Sequence, residues 1–248
     1  MRNIICFFLC LFCTSFLTAQ EEEVDPNNVK GFYFGPKLGL SLGTQNWNGY
    51  ERQPMVNYHF ALFTESLDPD LRGSLYAQLG YHARGSGLRV RTLSVGGFND
   101  SNNSFIYRNL SLGLGIKKRF STASLSTPYY LVGVRVEYNL SNNIAEISNS
   151  FSNAAVRIFY PIEELVRKVT YGISFGGGYE FYGSNFVQPA IEFTISPDLN
   201  FQYILDEDIV VNNPFNGQPT TLSMERIRNI TFEISLVVRF LREVIYID

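Results

Sequence analysis

Two histidines, His59 and His82, are the whole imidazole content of the chain. A hairpin centred near Asp70 would set them opposite one another on neighbouring strands, within cross-strand contact distance. Two facing imidazoles can share a metal, titrate as a pH-sensitive pair, or hydrogen-bond quietly inside a fold. With no third ligand marked by its spacing, the quiet pair is the expectation, and neither a metal nor a cofactor is expected. A run of acids, Asp206-Glu207-Asp208, lacks the spaced ligands and glycine of a calcium loop and reads as a solvated loop. No serine is singled out as a nucleophile, and there is no phosphate-cradling glycine loop and no zinc-ligand spacing, so no enzymatic activity is expected.

A larger set of charges is more telling. Lys37, Lys117, Arg119, Arg135 and Arg239 fall at the same alternating positions as small and polar residues, and so do Glu65, Glu137, Glu180, Glu192 and Glu233. Balanced charge on one face of many strands implies a shared polar interior, because a lone buried charge is costly. The main expectation is a network that plugs a closed barrel. The alternative is an ion path through a small pore, and a barrel enzyme is the remaining reading.

The elements that would position these charges are strands. In Asn229–Phe240, Ile230, Phe232, Ile234, Leu236, Val238 and Phe240 alternate with Asn229, Thr231, Glu233, Ser235, Val237 and Arg239. Successive strand side chains point to opposite faces, so this strand has one apolar and one mostly polar side. The pattern recurs over 31–43, 56–66, 74–84, 105–120, 129–140, 169–181 and 187–196, which gives eight strands. Connections alternate in length. Those over 67–73, 121–128 and 182–186 are short, and those over 44–55, 85–104, 141–168 and 197–228 are long. Within the long ones, 161–168 could form a short capping helix, and 212–221 reads as a turn.

Alternation alone does not say which face is inside, since a soluble barrel inverts it. Glycines crowd the polar face at Gly35, Gly39, Gly113, Gly115, Gly176 and Gly178, as a narrow eight-stranded lumen requires. Aromatics gather at both strand ends and aliphatics in the middle, the girdle pattern of a membrane barrel. The expected fold is therefore all-β, an eight-stranded antiparallel up-and-down transmembrane β-barrel of outer-membrane type.

The first 20 residues read as a signal peptide, with Arg2, an apolar centre and a Thr18-Ala19-Gln20 exit. Residues 21–30 would be an acidic periplasmic segment, 31–240 the barrel and 241–248 a periplasmic tail. Both termini would then be periplasmic. All three cysteines (Cys6, Cys10, Cys13) lie in the leader, so no disulfide is expected. Losing the leader takes one base, Arg2, from the 20, so 19 bases face 23 acids and the formal charge moves from −3 to −4. That balance excludes a nucleic-acid partner.

The words Gly31–Leu42, Tyr76–Gly85, Tyr107–Phe120, Tyr171–Phe181 and Ile234–Phe240 resemble the outer-membrane β-barrel domain family of Bacteroidota, often labelled PorT-like. The resemblance covers roughly residues 31–240. It implies a porin-like barrel in the cell outer membrane, touching outer-membrane lipid and inserted by the barrel-assembly machinery. The family's namesake is linked to type IX secretion, which implies an envelope or protein-export complex as partner. No residue here carries that role over. The function expected is a non-enzymatic barrel with a closed polar lumen that presents long outer loops to a partner or ligand.

Overall fold

A computed structural model describes residues 30–45, 47, 51–67, 73–94, 97–120, 126–150, 162–181, 187–205, 209–212, 217–222 and 224–244. The leader, the Asp206–Asp208 run and the last four residues lie outside the described residues.

Eight long strands form the barrel wall: β1 (Lys30–Gln45), β3 (Met55–Leu67), β4 (Gly73–Ser94), β5 (Gly97–Arg119), β6 (Ser126–Asn142), β7 (Val169–Phe181), β8 (Val187–Pro197) and β13 (Asn229–Val244). Each pairs with the next along the chain, and β13 pairs with β1, so the sheet closes with no free edge. Neighbouring staves from β1–β3 round to β8–β13 pair antiparallel, with registers running from Gly31↔Leu67 to Phe240↔Val187. Closure satisfies the backbone groups that an open edge would leave bare in lipid.

The barrel is inverted relative to a soluble one. Leu38, Leu40, Leu62, Leu79, Leu112, Leu114, Val134 and Leu236 are exposed on the outside. Lys37, Glu65, Arg135, Glu192 and Arg239 are buried inside. This is a transmembrane β-barrel. Aromatics flank the aliphatic band. Phe34 meets Phe240 (ring centroids 5.7 Å apart) and Phe120 meets Tyr130 (5.6 Å) at one end, while Tyr58 meets Tyr81 (6.3 Å) at the other.

Three sequence expectations need correction. Residues 85–104 are not a loop, because β4 and β5 continue as a paired hairpin out to Ser94↔Gly97. The regular alternation stops near the membrane surface, but a backbone ladder does not require it and continues through a mixed stretch in which Leu93 pairs with Phe98 and Arg89 with Asn102. Ala83, expected outside, is buried together with the stretch through Gly87. Here β2 (Glu51–Gln53) packs along β4, and Gly85 takes a φ of 149° beside the Phe105 carbonyl, a close approach that excludes a side chain. The helix foreseen over 161–168 is a single 3-10 turn, Glu163–Leu165. Val166 and Arg167 are taken into pairing with Tyr203 and Gln202. The true short helix is Ile144–Ser150, started by Asn142, whose Oδ1 accepts from the Ile144 N–H at 3.1 Å.

Two boundaries also move. In the 212–221 stretch, of which 213–216 lie outside the described residues, Asn212 ends β10 (Ile209–Asn212) and Pro219 opens its antiparallel partner β11 (Pro219–Leu222), with Gly217 at a positive φ of 69°; β9 (Tyr203–Leu205) pairs likewise with β12 (Glu225–Ile227). The supposed tail from Leu241 begins as wall, since β13 runs on to Val244.

Candidate functional site

The lumen is filled by side chains in tiers. Nearest the short turns, Glu65 of β3 and Glu180 of β7 face Lys117 and Arg119 of β5 and Arg239 of β13. Lys117 reaches Glu65 at 3.2 Å, Arg119 reaches Glu180 at 2.8 Å, and Arg239 reaches Glu180 at 2.7 Å. Arg119 also pairs with Glu65. Two aromatic faces support the cations: Arg239 lies 3.8 Å over the Tyr33 ring, and Lys117 lies 3.8 Å over Tyr129.

The middle tier is the Lys37–Glu192 pair. Tyr129 donates its hydroxyl to the other Glu192 oxygen at 2.9 Å, and Gln78 accepts from Lys37 at 3.5 Å. A cavity of about 20 Å³ lies between Lys37, Tyr76, Gln78, Arg84 and Glu233. That is room for roughly one water.

Toward the long loops, Arg84 of β4 sits 3.0 Å from both Glu137 and Glu233. Arg135 reaches Glu137 at 2.7 Å and also pairs with Asp198. Asn109 donates to Glu137 at 3.1 Å and accepts from Asn139 at 2.9 Å. All ten charges singled out in the sequence thus line one lumen. Arg84 and Asp198 join them unforeseen. Arg84 was legible as the next polar-face position after His82, whereas Asp198 follows Pro197, beyond the last alternating residue. Across these ion pairs six cations (Lys37, Arg84, Lys117, Arg119, Arg135, Arg239) balance six anions (Glu65, Glu137, Glu180, Glu192, Asp198, Glu233).

His59 and His82 stand directly opposite in the β3–β4 register, and their rings stack 5.2 Å apart at 4°. With Glu233 they offer three ligand atoms within 4.8 Å of one another. Ring-nitrogen lone pairs lie in the ring planes, so stacked parallel rings aim them alongside each other and not at a common point. Glu233 is already held by His82 at 3.0 Å and by Arg84. A divalent ion would have to turn a ring and displace Arg84. Ser235 is the serine that the sequence did not single out: its Oγ lies 3.0 Å from His59 Nε2. The opposite nitrogen of His59 is buried without a partner. The pair therefore has no carboxylate behind the imidazole, the third member that orients a catalytic serine–histidine couple.

Above these charges an apolar cluster covers the loop end: Trp47, Phe105, Tyr107, Ile144, Val166, Tyr203, Leu205 and Ile227. Trp47 packs on Phe105 and on Tyr203, each at 5.2 Å. Burial pushes the Tyr203 phenol above its ordinary value, so it stays neutral and accepts from the Ile162 N–H at 3.3 Å.

No family model matches the chain, and no curated protein matches it. Solved structures with a similar course include Neisserial surface protein A, at 12% identity over 84% of this chain and 96% of that one, with a TM-score of 0.41. OprG from Pseudomonas aeruginosa is 9% identical over 89% and 99%, with a TM-score of 0.45. Ail of Yersinia pestis, in complex with the heparin analogue sucrose octasulfate, is 10% identical over 84% and 99%, with a TM-score of 0.36. At such identities and scores the likeness carries no argument about function. The architecture rests on this chain's own pairings.

Proposed function

We propose that this protein is a non-enzymatic outer-membrane barrel whose lumen is a structural plug and whose working surface is the loop end. The observation that carries this reading is the filled interior: among the described residues, twelve paired charges and an apolar cap occupy the lumen, with a cavity of about 20 Å³ between Lys37 and Glu233. An eight-stranded wall is just wide enough to be packed in this way. Long connections at one end and short turns at the other fit loops outside and turns, with both termini, in the periplasm. On this reading the loops present β2, the extended β4–β5 hairpin, the helix and the β10–β11 hairpin to a partner, and an envelope or protein-export complex is the partner class to test first.

Planar-bilayer recording of the purified, refolded barrel separates plug from pore. Silent or only flickering bilayers are expected. Steady, reproducible channels would overturn the plug and make the chain a small pore.

A further inference from the structure

The loop end carries a second feature on the outside of the wall. The outward positions climbing β13 read Leu236, Ile234, Phe232 and Ile230, all exposed and apolar. The same alternation then places Arg228 and Arg226 outward, with Ile227 and Asn229 buried between. One strand residue rises about 3.3 Å, so Arg228 stands roughly 7 Å beyond Ile230. On β7 the outward series Phe175, Tyr171, Val169 ends in the same way at exposed Lys168 and Arg167.

Between these two edges runs the segment after β8. Its backbone is clamped on both sides: Leu199 N–H to Tyr171 O at 2.9 Å, Arg167 N–H to Gln202 O at 2.9 Å, and Gln202 N–H to Ile227 O at 2.8 Å. The result is an open cleft of about 340 Å³ lined by Arg167, Tyr171, Leu199, Phe201, Ile204 and Arg226. Phe201 forms its floor for the cations, with Arg228 at 4.2 Å and Arg226 at 5.8 Å from its ring.

We propose that this cleft binds the phosphate of a membrane lipid headgroup. The site sits where an apolar belt gives way to guanidinium groups, which is where a lipid passes from chain to headgroup. Guanidinium forks match phosphate oxygens in geometry and charge. Leu199 and Tyr171, exposed below the arginines, offer acyl chains an apolar path. The proposal rests on the barrel being embedded in a membrane, as read above.

The test uses the full mature chain in phosphatidylcholine nanodiscs. Added probes are a bisphosphorylated glucosamine lipid, its dephosphorylated form, and inorganic phosphate. Native mass spectrometry reads the lipid-bound fraction, and heat-modifiable gel migration first confirms that each variant is a folded barrel. Removing Arg167, Arg226 and Arg228 as glutamines should weaken retention of the phosphorylated lipid by about fivefold for each arginine. Lys118→Gln and Arg242→Gln, at the opposite rim, should leave it unchanged. Equal retention by parent and triple variant would overturn the site. Equal retention of both lipids would overturn phosphate recognition, and displacement by inorganic phosphate at the lipid's own concentration would overturn the lipid as its source. A parent that fails to enter nanodiscs at all would instead sink the membrane reading on which the proposal stands.

Discussion

Lys37 and Glu192 show at the level of single residues why the lumen charges come as sets. Both are buried, and each is the other's ion partner. Removing one member of a buried pair leaves the other uncompensated, at a cost of about 3–5 kcal/mol, whereas replacing both by apolar groups is often close to neutral. Glu192→Leu is therefore expected to lower unfolding free energy in lipid vesicles by about that amount. The Lys37→Met/Glu192→Leu double variant should recover most of it, short of the hydrogen bond that Tyr129 gives Glu192. Denaturant titration followed by tryptophan fluorescence measures both. A double variant as unstable as the single one would show that the pair is not the unit of stabilisation.

At the level of elements, closure depends on β1 lying tight against β13. A side chain built at Gly39 would run into the Ile234 carbonyl oxygen and the His59 ring, and one at Gly35 would meet the Val238 carbonyl. The two carbonyls are backbone obstacles that no rotamer change relieves. Gly39→Val should therefore block closure, seen as loss of the compact, heat-modifiable band on a gel, while Leu40→Val on the outward side of the same strand should retain it. The β4–β5 hairpin works by a different rule. Its outer part continues by backbone pairing after the apolar alternation has ended, so it projects from the wall as a defined element.

For the whole molecule the decisive property is the inversion of inside and outside. Leu114 of β5 lies between the two aromatic levels, Leu110 paired with Tyr81 and Tyr138 on one side and Phe120 on the other, and it is exposed and paired between Ala77 and Val134. An arginine at the bilayer midplane of a barrel costs about 2–4 kcal/mol, falling to about 0–1 near the interface. Leu114→Arg should therefore be several-fold more damaging than Ile230→Arg at the loop-end rim when unfolding is measured in vesicles. A soluble barrel would show no such gradient, so equal costs at the two depths would refute the membrane placement.

The sequence by itself determined the strands, their two faces and the closed inverted wall, because a period of two separates the faces, the polar-face glycines and the aromatic ends say which face is outward, and lipid demands that every backbone group be paired. It also determined which ten charges share the lumen and that His59 faces His82, since register follows from alternation and turn length. Only the tertiary structure decided how those charges combine. Which carboxylate meets which guanidinium depends on strands far apart in the chain, as with Lys37 and Glu192, and no local pattern encodes that meeting. The same holds for Trp47, which reads as a lone loop residue until Phe105 of β5 and Tyr203 of the β8–β13 connection pack against it. It holds as well for Arg84 and Asp198, and for Ser235 beside His59. The loop end was illegible for the same reason: its residues answer to neighbours brought by the barrel's closure, not to the membrane period that organises everything below them.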